Sequence, residues 1–148
     1  WRIVMAPLIA LVVGTLLARL AGVLGLTLVN AWPAALAVGL AAMFTLTGVA
    51  HFVPTMRAAM IAIVPPQIPA PRFLVALTGV LELLGALGVL IPSTRELAAG
   101  CLGLLLVVMF PANVYAASQR SNPLSTPLGW RTAEQLLFLA ATTTVAFG

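Results

Sequence analysis

The chain has very few charged side chains. Only 7% of its 148 residues are Asp, Glu, Lys or Arg, whereas an average soluble domain contains about 25%. Hydrophobic residues make up 62% of the chain and its mean hydropathy is +1.16. These values exclude an ordinary soluble domain and indicate a membrane protein. The length allows about four or five spans of roughly 20 residues in one compact bundle, with no separate soluble domain.

Cysteine and histidine are almost missing. Cys101 is the one cysteine, which excludes an internal disulfide, a CxxC dithiol and a multi-cysteine metal site. His51 is the one histidine, and by itself it cannot supply bis-histidine haem ligation or a three-ligand metal site. The sequence also lacks a P-loop, a dinucleotide fingerprint, an HExxH and a GxSxG motif. No metal is therefore predicted, no cofactor is evident from a motif, and nothing points to nucleotide binding or hydrolysis.

The basic residues are scattered. The formal net charge is +4, and the seven basic residues are all arginines that form no run, so nucleic acid is not an expected partner. Most of them flank apolar segments, which makes membrane lipid the expected partner. If the N-terminus is cytoplasmic, that side holds Arg2, Arg57, Arg72, Arg120 and Arg131. The positive-inside rule then predicts a multi-pass protein of the cell inner membrane with its C-terminus outside.

Five apolar segments predict membrane spans, at about 3–28, 33–53, 72–91, 96–117 and 129–147. Each is near the length that crosses about 30 Å of hydrocarbon as a helix. Helix is expected because backbone groups in lipid must be satisfied within the segment. The predicted fold is an all-α, polytopic transmembrane helical bundle. Whether the first segment fully spans is open, but it lacks a clear signal-cleavage site and is expected to be retained.

The stretch 54–71 has a different pattern. Thr55 is predicted to cap a short helix in which Met56, Ala59, Met60 and Ile63 share one face. Pro65 and Pro66 would end this helix, and residues 67–71 would form a stiff, extended connector. We interpret the stretch as a helix in the membrane interface followed by a proline-rich hinge, with a re-entrant turn as the alternative.

Glu82 is a carboxylate within the otherwise uncharged run 73–91. A charge at the centre of a bilayer costs roughly 2.5 to 3.5 kcal/mol on insertion scales, so Glu82 needs a partner, a proton or a ligand. Gly79, Gly85 and Ala86 share its helix face. Because small residues mark helix contacts in membranes, Glu82 is expected to point into the bundle. Its role could be a structural hydrogen bond or ion pair, proton handling or ligand binding, or contact with another subunit.

Two further ionisable side chains lie near apolar segments. Arg19 is close enough to the level of Glu82 to form an ion pair with it, or its side chain could reach outward to the lipid headgroups. His51 ends the second segment. It could carry a proton or donate to a quinone oxygen, or it could simply bond the free carbonyls at a helix C-terminus.

The last two segments add polar groups. Pro111 is predicted to kink the fourth helix and expose a carbonyl that Asn113, Tyr115 or a ligand could use. The fifth segment opens with Arg131, Glu134 and Gln135, which suit interfacial anchoring. The polar residues at the predicted cytoplasmic ends of the second to fifth segments are His51, Arg57, Arg72, Asn113, Tyr115, Glu134 and Gln135. We predict a cleft at this end, with Glu82 as its floor and residues 54–71 as its cover.

Four short pieces of the chain together resemble the DoxX-like family of small integral membrane proteins. In order, they are Gly48-Val49-Ala50-His51-Phe52, Val64-Pro65-Pro66-Gln67-Ile68-Pro69, Thr78-Gly79-Val80-Leu81-Glu82-Leu83 and Phe110-Pro111-Ala112-Asn113. The resemblance covers residues 33–147 and implies a four-helix core, to which this chain adds an N-terminal apolar helix. The family takes its name from a membrane subunit of a thiosulfate:quinone oxidoreductase, and other relatives are linked to oxidative-stress complexes or have no assigned role.

The resemblance implies a noncatalytic or accessory subunit of a membrane complex, such as a redox complex, with a cleft for a small molecule, quinone or lipid. Other membrane protein subunits would then be partners. The first alternative is a quinone-linked oxidoreductase subunit in which His51 and Glu82 handle protons while Asn113 or Tyr115 orients the ring. The second alternative is a small transporter. The candidate ligand-binding or proton-handling residues are Glu82, His51, Asn113, Tyr115, Arg57 and Gln135.

Overall fold

The computed structural model describes residues 2–148, and these residues form an all-helical bundle without a β-strand. The six α-helices are α1 (Arg2–Val23), α2 (Trp32–Ala50), α3 (Pro54–Ala62), α4 (Pro71–Leu90), α5 (Arg95–Ser118) and α6 (Leu128–Phe147). Four of them, α1, α2, α4 and α5, are long and apolar enough to cross a membrane. The predicted all-α fold class is confirmed.

Helix α2 lies at the centre of the bundle. It packs against α1, α4 and α6, while α5 packs against α4 and α6. Its inner surface is rich in small residues, and Ala35 and Ala37 are fully buried beside the larger Leu40 and Phe44. Small side chains allow neighbouring helix backbones to approach closely, which is how helices gain packing contacts within lipid. The successive long helices run up and down, so the ends of α2 and α5 lie beside the beginnings of α4 and α6.

The first predicted span, at 3–28, extends beyond the C-terminal end of the helix that forms there. Helix α1 stops at Val23 rather than near residue 28, and a 3-10 turn follows at Thr27–Val29. The physical reason is Gly25, whose φ of 118° is a left-handed value that ends the helical path. The remaining long helices begin and end within a few residues of the predicted spans.

Helix α6 forms where a fifth span was predicted, yet it is not among the four helices that are apolar enough to cross a membrane. Its first turns carry Arg131, Glu134 and Gln135, and its second half contains three consecutive threonines at 142–144. These polar residues lower its hydropathy although its 20 residues give it sufficient length. That α6 crosses the membrane remains a prediction.

The stretch 54–71, which we call the cover segment, contains α3 as predicted, but Thr55 is not its cap. The N-cap is Val53, no side chain caps the helix, and Pro54 occupies its first turn, where a missing N–H costs nothing. The amide of Asn122, in the loop between α5 and α6, donates a hydrogen bond of 3.0 Å to the carbonyl of Ala59. The cover segment is thereby tied to that loop.

Candidate functional site

A cavity of about 650 Å³ lies at the end of the bundle that carries α3. Its lining is largely apolar and comes from all six helices. Representative lining residues, one from each helix in order, are Pro7, Phe44, Met60, Val75, Met109 and Phe138. The proline-rich end of the cover segment also contributes Pro65 and Ile68. The arrangement is therefore a pocket inside one end of a helical bundle, with the cover segment forming part of its wall.

Glu82 lies in the wall of this cavity and is only 4% exposed. The prediction that it points into the bundle is confirmed. Its Oε2 lies 2.6 Å from Oγ1 of Thr47 on α2, and its Oε1 lies 3.6 Å from Nε2 of His51. The first distance is a short hydrogen bond, whereas the second is an ion-pair distance longer than a hydrogen bond. Both of these partners of Glu82 lie at the C-terminal end of α2.

His51 is also buried, at 3% exposure, and contacts α4 through both ring nitrogens. Its Nδ1 lies 2.7 Å from the carbonyl oxygen of Val75 and 3.2 Å from Oγ1 of Thr78. A carbonyl oxygen only accepts hydrogen bonds, so Nδ1 must carry a hydrogen. The sequence allowed His51 to bond the free carbonyls at the end of its own helix, but the ring instead donates to α4.

The tautomer of His51 determines what can lie between it and Glu82. With a hydrogen on Nδ1, a neutral imidazole presents a lone pair from Nε2, and an ionised carboxylate presents only lone pairs as well. Two acceptors facing each other would repel, whereas a pair that carries one further proton would not. Such a proton would sit either on His51, giving an imidazolium and a carboxylate, or on Glu82, giving two neutral groups. In both arrangements the pair has no net charge, which lowers the cost of its burial.

A second polar wall comes from α5 and α6. Nη1 of Arg131 donates a 2.8 Å hydrogen bond to Oδ1 of Asn113. Nε2 of Gln135 donates a 2.9 Å hydrogen bond to the carbonyl of Leu106. Pro111 lacks the backbone N–H that would otherwise bond the carbonyl of Val107, so Gln135 bonds the carbonyl one residue before the one that Pro111 leaves free. The side chains of Asn113, Arg131 and Gln135 all border the cavity.

Four of the six candidate residues come together around the cavity: Glu82, His51, Asn113 and Gln135. The structure does not place the other two there, because Arg57 and Tyr115 are absent from the lining among the residues it describes. Both project from helices that reach the cavity, but from other faces. An α-helix completes one turn in 3.6 residues. A residue next to a lining residue in the sequence therefore projects from a different face of the helix, and only residues three or four apart share a face.

The ion pair between Arg19 and Glu82 that the sequence allowed is not formed within residues 2–148. Nη1 of Arg19 instead donates to Oδ1 of Asn30 at 3.2 Å, and its guanidinium lies 4.6 Å from the ring centre of Trp32. Both partners belong to the connection between α1 and the beginning of α2. This connection is at the end of the bundle opposite the cavity, which explains why Arg19 does not reach Glu82.

Sequence reasoning missed the two threonines that complete the polar cluster. Thr47 precedes His51 by four residues on α2, and Thr78 precedes Glu82 by four residues on α4. Residues four apart share a helix face, and because the two helices are antiparallel, each threonine meets the ionisable residue of the other helix. The sequence signal for this cluster was that a threonine precedes the ionisable residue by four positions on both helices. We call these four residues, Thr47, His51, Thr78 and Glu82, the polar cluster.

The fold and the site define a helical-bundle protein with four helices that can cross a membrane and an apolar cavity bordered by a buried acid and histidine. The family model described as "Domain of unknown function (DUF8561)" matches residues 40–144, and the chain belongs to this family. Neither the curated proteins nor the solved structures gave a match. The matched range includes the whole polar cluster and the second polar wall, but it excludes α1, which supplies one side of the cavity.

Proposed function

We propose that this protein is an integral membrane protein that binds a small amphiphilic molecule, such as a quinone or a lipid, in the cavity beneath the cover segment. It would act as a noncatalytic or accessory subunit of a membrane complex, such as a redox complex, with other membrane protein subunits as its partners. The observation that carries this proposal is the polar cluster itself, placed in the wall of an otherwise apolar cavity.

The size and lining of the cavity support a small-molecule ligand. Its volume of about 650 Å³ is within the roughly 300 to 1,000 Å³ of small-molecule sites, which are mostly apolar with a few polar groups that fix orientation. His51 and Glu82 have no net charge when the pair carries one shared proton, and Arg131 and Glu134 contribute opposite formal charges to the other wall. A ligand without net charge suits such a lining, because it adds no unbalanced charge to an apolar site.

The positions of four sequence pieces support the DoxX-like resemblance as a proposal. His51, Pro65, Glu82 and Asn113 each come from a different one of the pieces that carry the resemblance, and all four border the same cavity. The resemblance thus concerns residues that meet in space, as a shared ligand site requires. In this proposal the protein lies in the cell inner membrane, its N-terminus is cytoplasmic and the cavity faces the cytoplasmic side.

The second candidate is a quinone-linked oxidoreductase subunit. The observation that favours it is the 3.6 Å distance between Nε2 of His51 and Oε1 of Glu82 in the cavity wall, since a buried histidine and acid can pass a proton to a bound oxygen. Reduction of a quinone needs an electron donor, which partner subunits would supply. A small transporter is the remaining alternative, and no particular contact in the structure favours it over the other two.

The ligand proposal can be tested with protein extracted into nanodiscs directly from native membranes. Small molecules retained by the purified protein would be extracted and quantified by mass spectrometry for wild type, Glu82→Gln and Glu96→Gln. Glu96 is exposed in the first turn of α5 at the other end of the bundle, so it provides a matched control. A hydrogen bond to a charged group contributes about 1.5 to 3 kcal/mol, so Glu82→Gln should reduce the retained ligand by roughly tenfold or more.

The same preparations separate the candidates. Equal retention by Glu82→Gln and wild type, or no retained molecule in wild type, would contradict a ligand site at the polar cluster. Partner chains would be identified by crosslinking in the membrane before extraction. An accessory subunit is expected to copurify with such chains, and a strictly monomeric protein counts against that role. Unchanged quinone-dependent turnover of membranes that carry Glu82→Gln and His51→Ala would reject the oxidoreductase candidate.

A further inference from the structure

An apolar groove runs along the outer surface of α1 and α2. It has a volume of about 500 Å³ and is bordered on α1 by Ala6, Ala10, Val13 and Leu17, and on α2 by Ala42 and Leu46. The α1 residues are spaced three or four apart and therefore share one face of the helix. From Ala6 to Leu17 the groove spans eleven residues, which corresponds to roughly 16 Å along a helix.

The groove adjoins the cavity. Ala6 and Leu46 border both of them, so only these side chains, near the beginning of α1 and the end of α2, need to shift for the two spaces to join. Away from these two residues the groove follows α1 toward its middle, and among residues 2–148 its one ionisable lining residue is Arg2, at the end that carries the cavity. The polar groups of the cavity and groove are thus gathered at one end, and the other end is hydrocarbon-like.

We infer that the ligand is a single-chain amphiphile whose polar head lies in the cavity at the polar cluster and whose hydrocarbon chain leaves between α1 and α2 to lie in this groove. The inference rests on the proposed function, because it names the class of ligand for the same cavity. The argument for this occupant is that the groove adjoins the cavity at Ala6 and Leu46, together with the separation of polar and apolar linings. A compact polar ligand would leave the groove unused.

Membrane lipid can fill any outward groove, so the test must distinguish the ligand's own chain from bulk lipid. Burying a chain from lipid into a groove releases no water and gains only packing contacts, so position is a sharper readout than affinity. The probe is dodecyl 4-hydroxybenzoate, which has an uncharged head with a donor and acceptors, carrying a photoreactive diazirine at the end of its chain. Protein in nanodiscs is irradiated with it, and adducts are mapped by mass spectrometry.

In wild-type protein we expect adducts on Val13, Leu17 or Ala42, and we expect excess methyl 4-hydroxybenzoate, which has the head without the chain, to abolish them. Ala42 is exposed, so Ala42→Phe should fill the groove without entering the core and should eliminate these adducts. Ala140→Phe makes the same exchange at an exposed position on α6 outside the groove, and it should label like wild type. Val13→Phe provides a second groove-filling variant if Ala42→Phe does not fold.

The outcomes separate the inference from the proposed function. Competable adducts that map to cavity residues such as Met60 or Met109, and that persist in Ala42→Phe, would overturn the groove assignment while leaving the cavity as the ligand site. Groove adducts that the head analogue does not displace would also overturn it, because they would come from bulk membrane partitioning. The absence of any competable adduct would overturn both.

Discussion

Replacing Gly79 with alanine should displace His51 from the polar cluster. Gly79 lies on the face of α4 that meets α2, and a Cβ added to it would come within 2.6 Å of the Cβ of His51. Ordinary contact begins at 3.4 Å, so the two helices must separate by about 0.8 Å at this point. Overpacking of this kind costs typically 1 to 3 kcal/mol, and the contact atom belongs to a side chain stem that cannot simply rotate away.

The matched control is Gly100→Ala on α5, where an added Cβ meets nothing within 4 Å. Removing a helical glycine there should be neutral or stabilising by up to about 1 kcal/mol. Stability would be measured by denaturant titration in mixed micelles. The chain contains one histidine, so the nitrogen NMR signals of its ring report directly on the 2.7 Å hydrogen bond from Nδ1 to Val75.

We expect Gly79→Ala to be destabilised by about 1 to 3 kcal/mol and its Nδ1 signal to move toward that of a weaker hydrogen bond, while Gly100→Ala keeps the wild-type signal. If Gly79→Ala matched Gly100→Ala in stability and retained the Nδ1 signal, the close approach of α2 and α4 at His51 would be wrong.

Two further variants probe separate contacts. Thr47→Val removes the 2.6 Å hydrogen bond to Glu82. It should lower the unfolding free energy by about 0.6 to 1.7 kcal/mol, the average and the maximum for hydrogen bonds between helices in a membrane protein. Thr45→Val, at an exposed position on the same helix, should change the unfolding free energy little, and equal effects would contradict a specific bond. Asn122→Ala removes the side chain that links its loop to α3 and should speed amide hydrogen exchange in α3. Ser121→Ala, at an exposed neighbouring position, should leave the exchange rates unchanged. Unchanged exchange in Asn122→Ala would show that the cover segment is held by other contacts.

Much of the fold follows from composition and spacing. A chain with few charges and several apolar runs must satisfy its backbone within helices if it enters lipid, and the long helices form close to their predicted positions. The errors are local. Gly25 ends α1 earlier than the apolar run does, since hydropathy measures the length of a run but not its backbone angles. Thr55 failed as a cap because Pro54, directly before it, already occupies the first turn of α3.

The site was predictable in outline. The sequence predicted a cleft with Glu82 as its floor and residues 54–71 as its cover, and the cavity has Glu82 and part of that stretch in its lining. Membership of that lining was harder to predict, because whether a side chain faces the cavity depends on the rotation of its helix. Asn113 and Gln135 face inward, whereas Arg57 and Tyr115 do not border the cavity.

The sequence alone determined that Glu82 must be sheltered, because an isolated carboxylate among apolar residues is costly in lipid and small residues share its face. Only the tertiary structure decided what shelters it. Thr47 is 35 residues away along the chain, and the antiparallel packing of α2 and α4 brings it and His51 to the carboxylate, while Arg19 pairs with Asn30 at the far end. Hydropathy and helix periodicity are local properties of a chain, but the choice of partner depends on which helices pack together and at what depth.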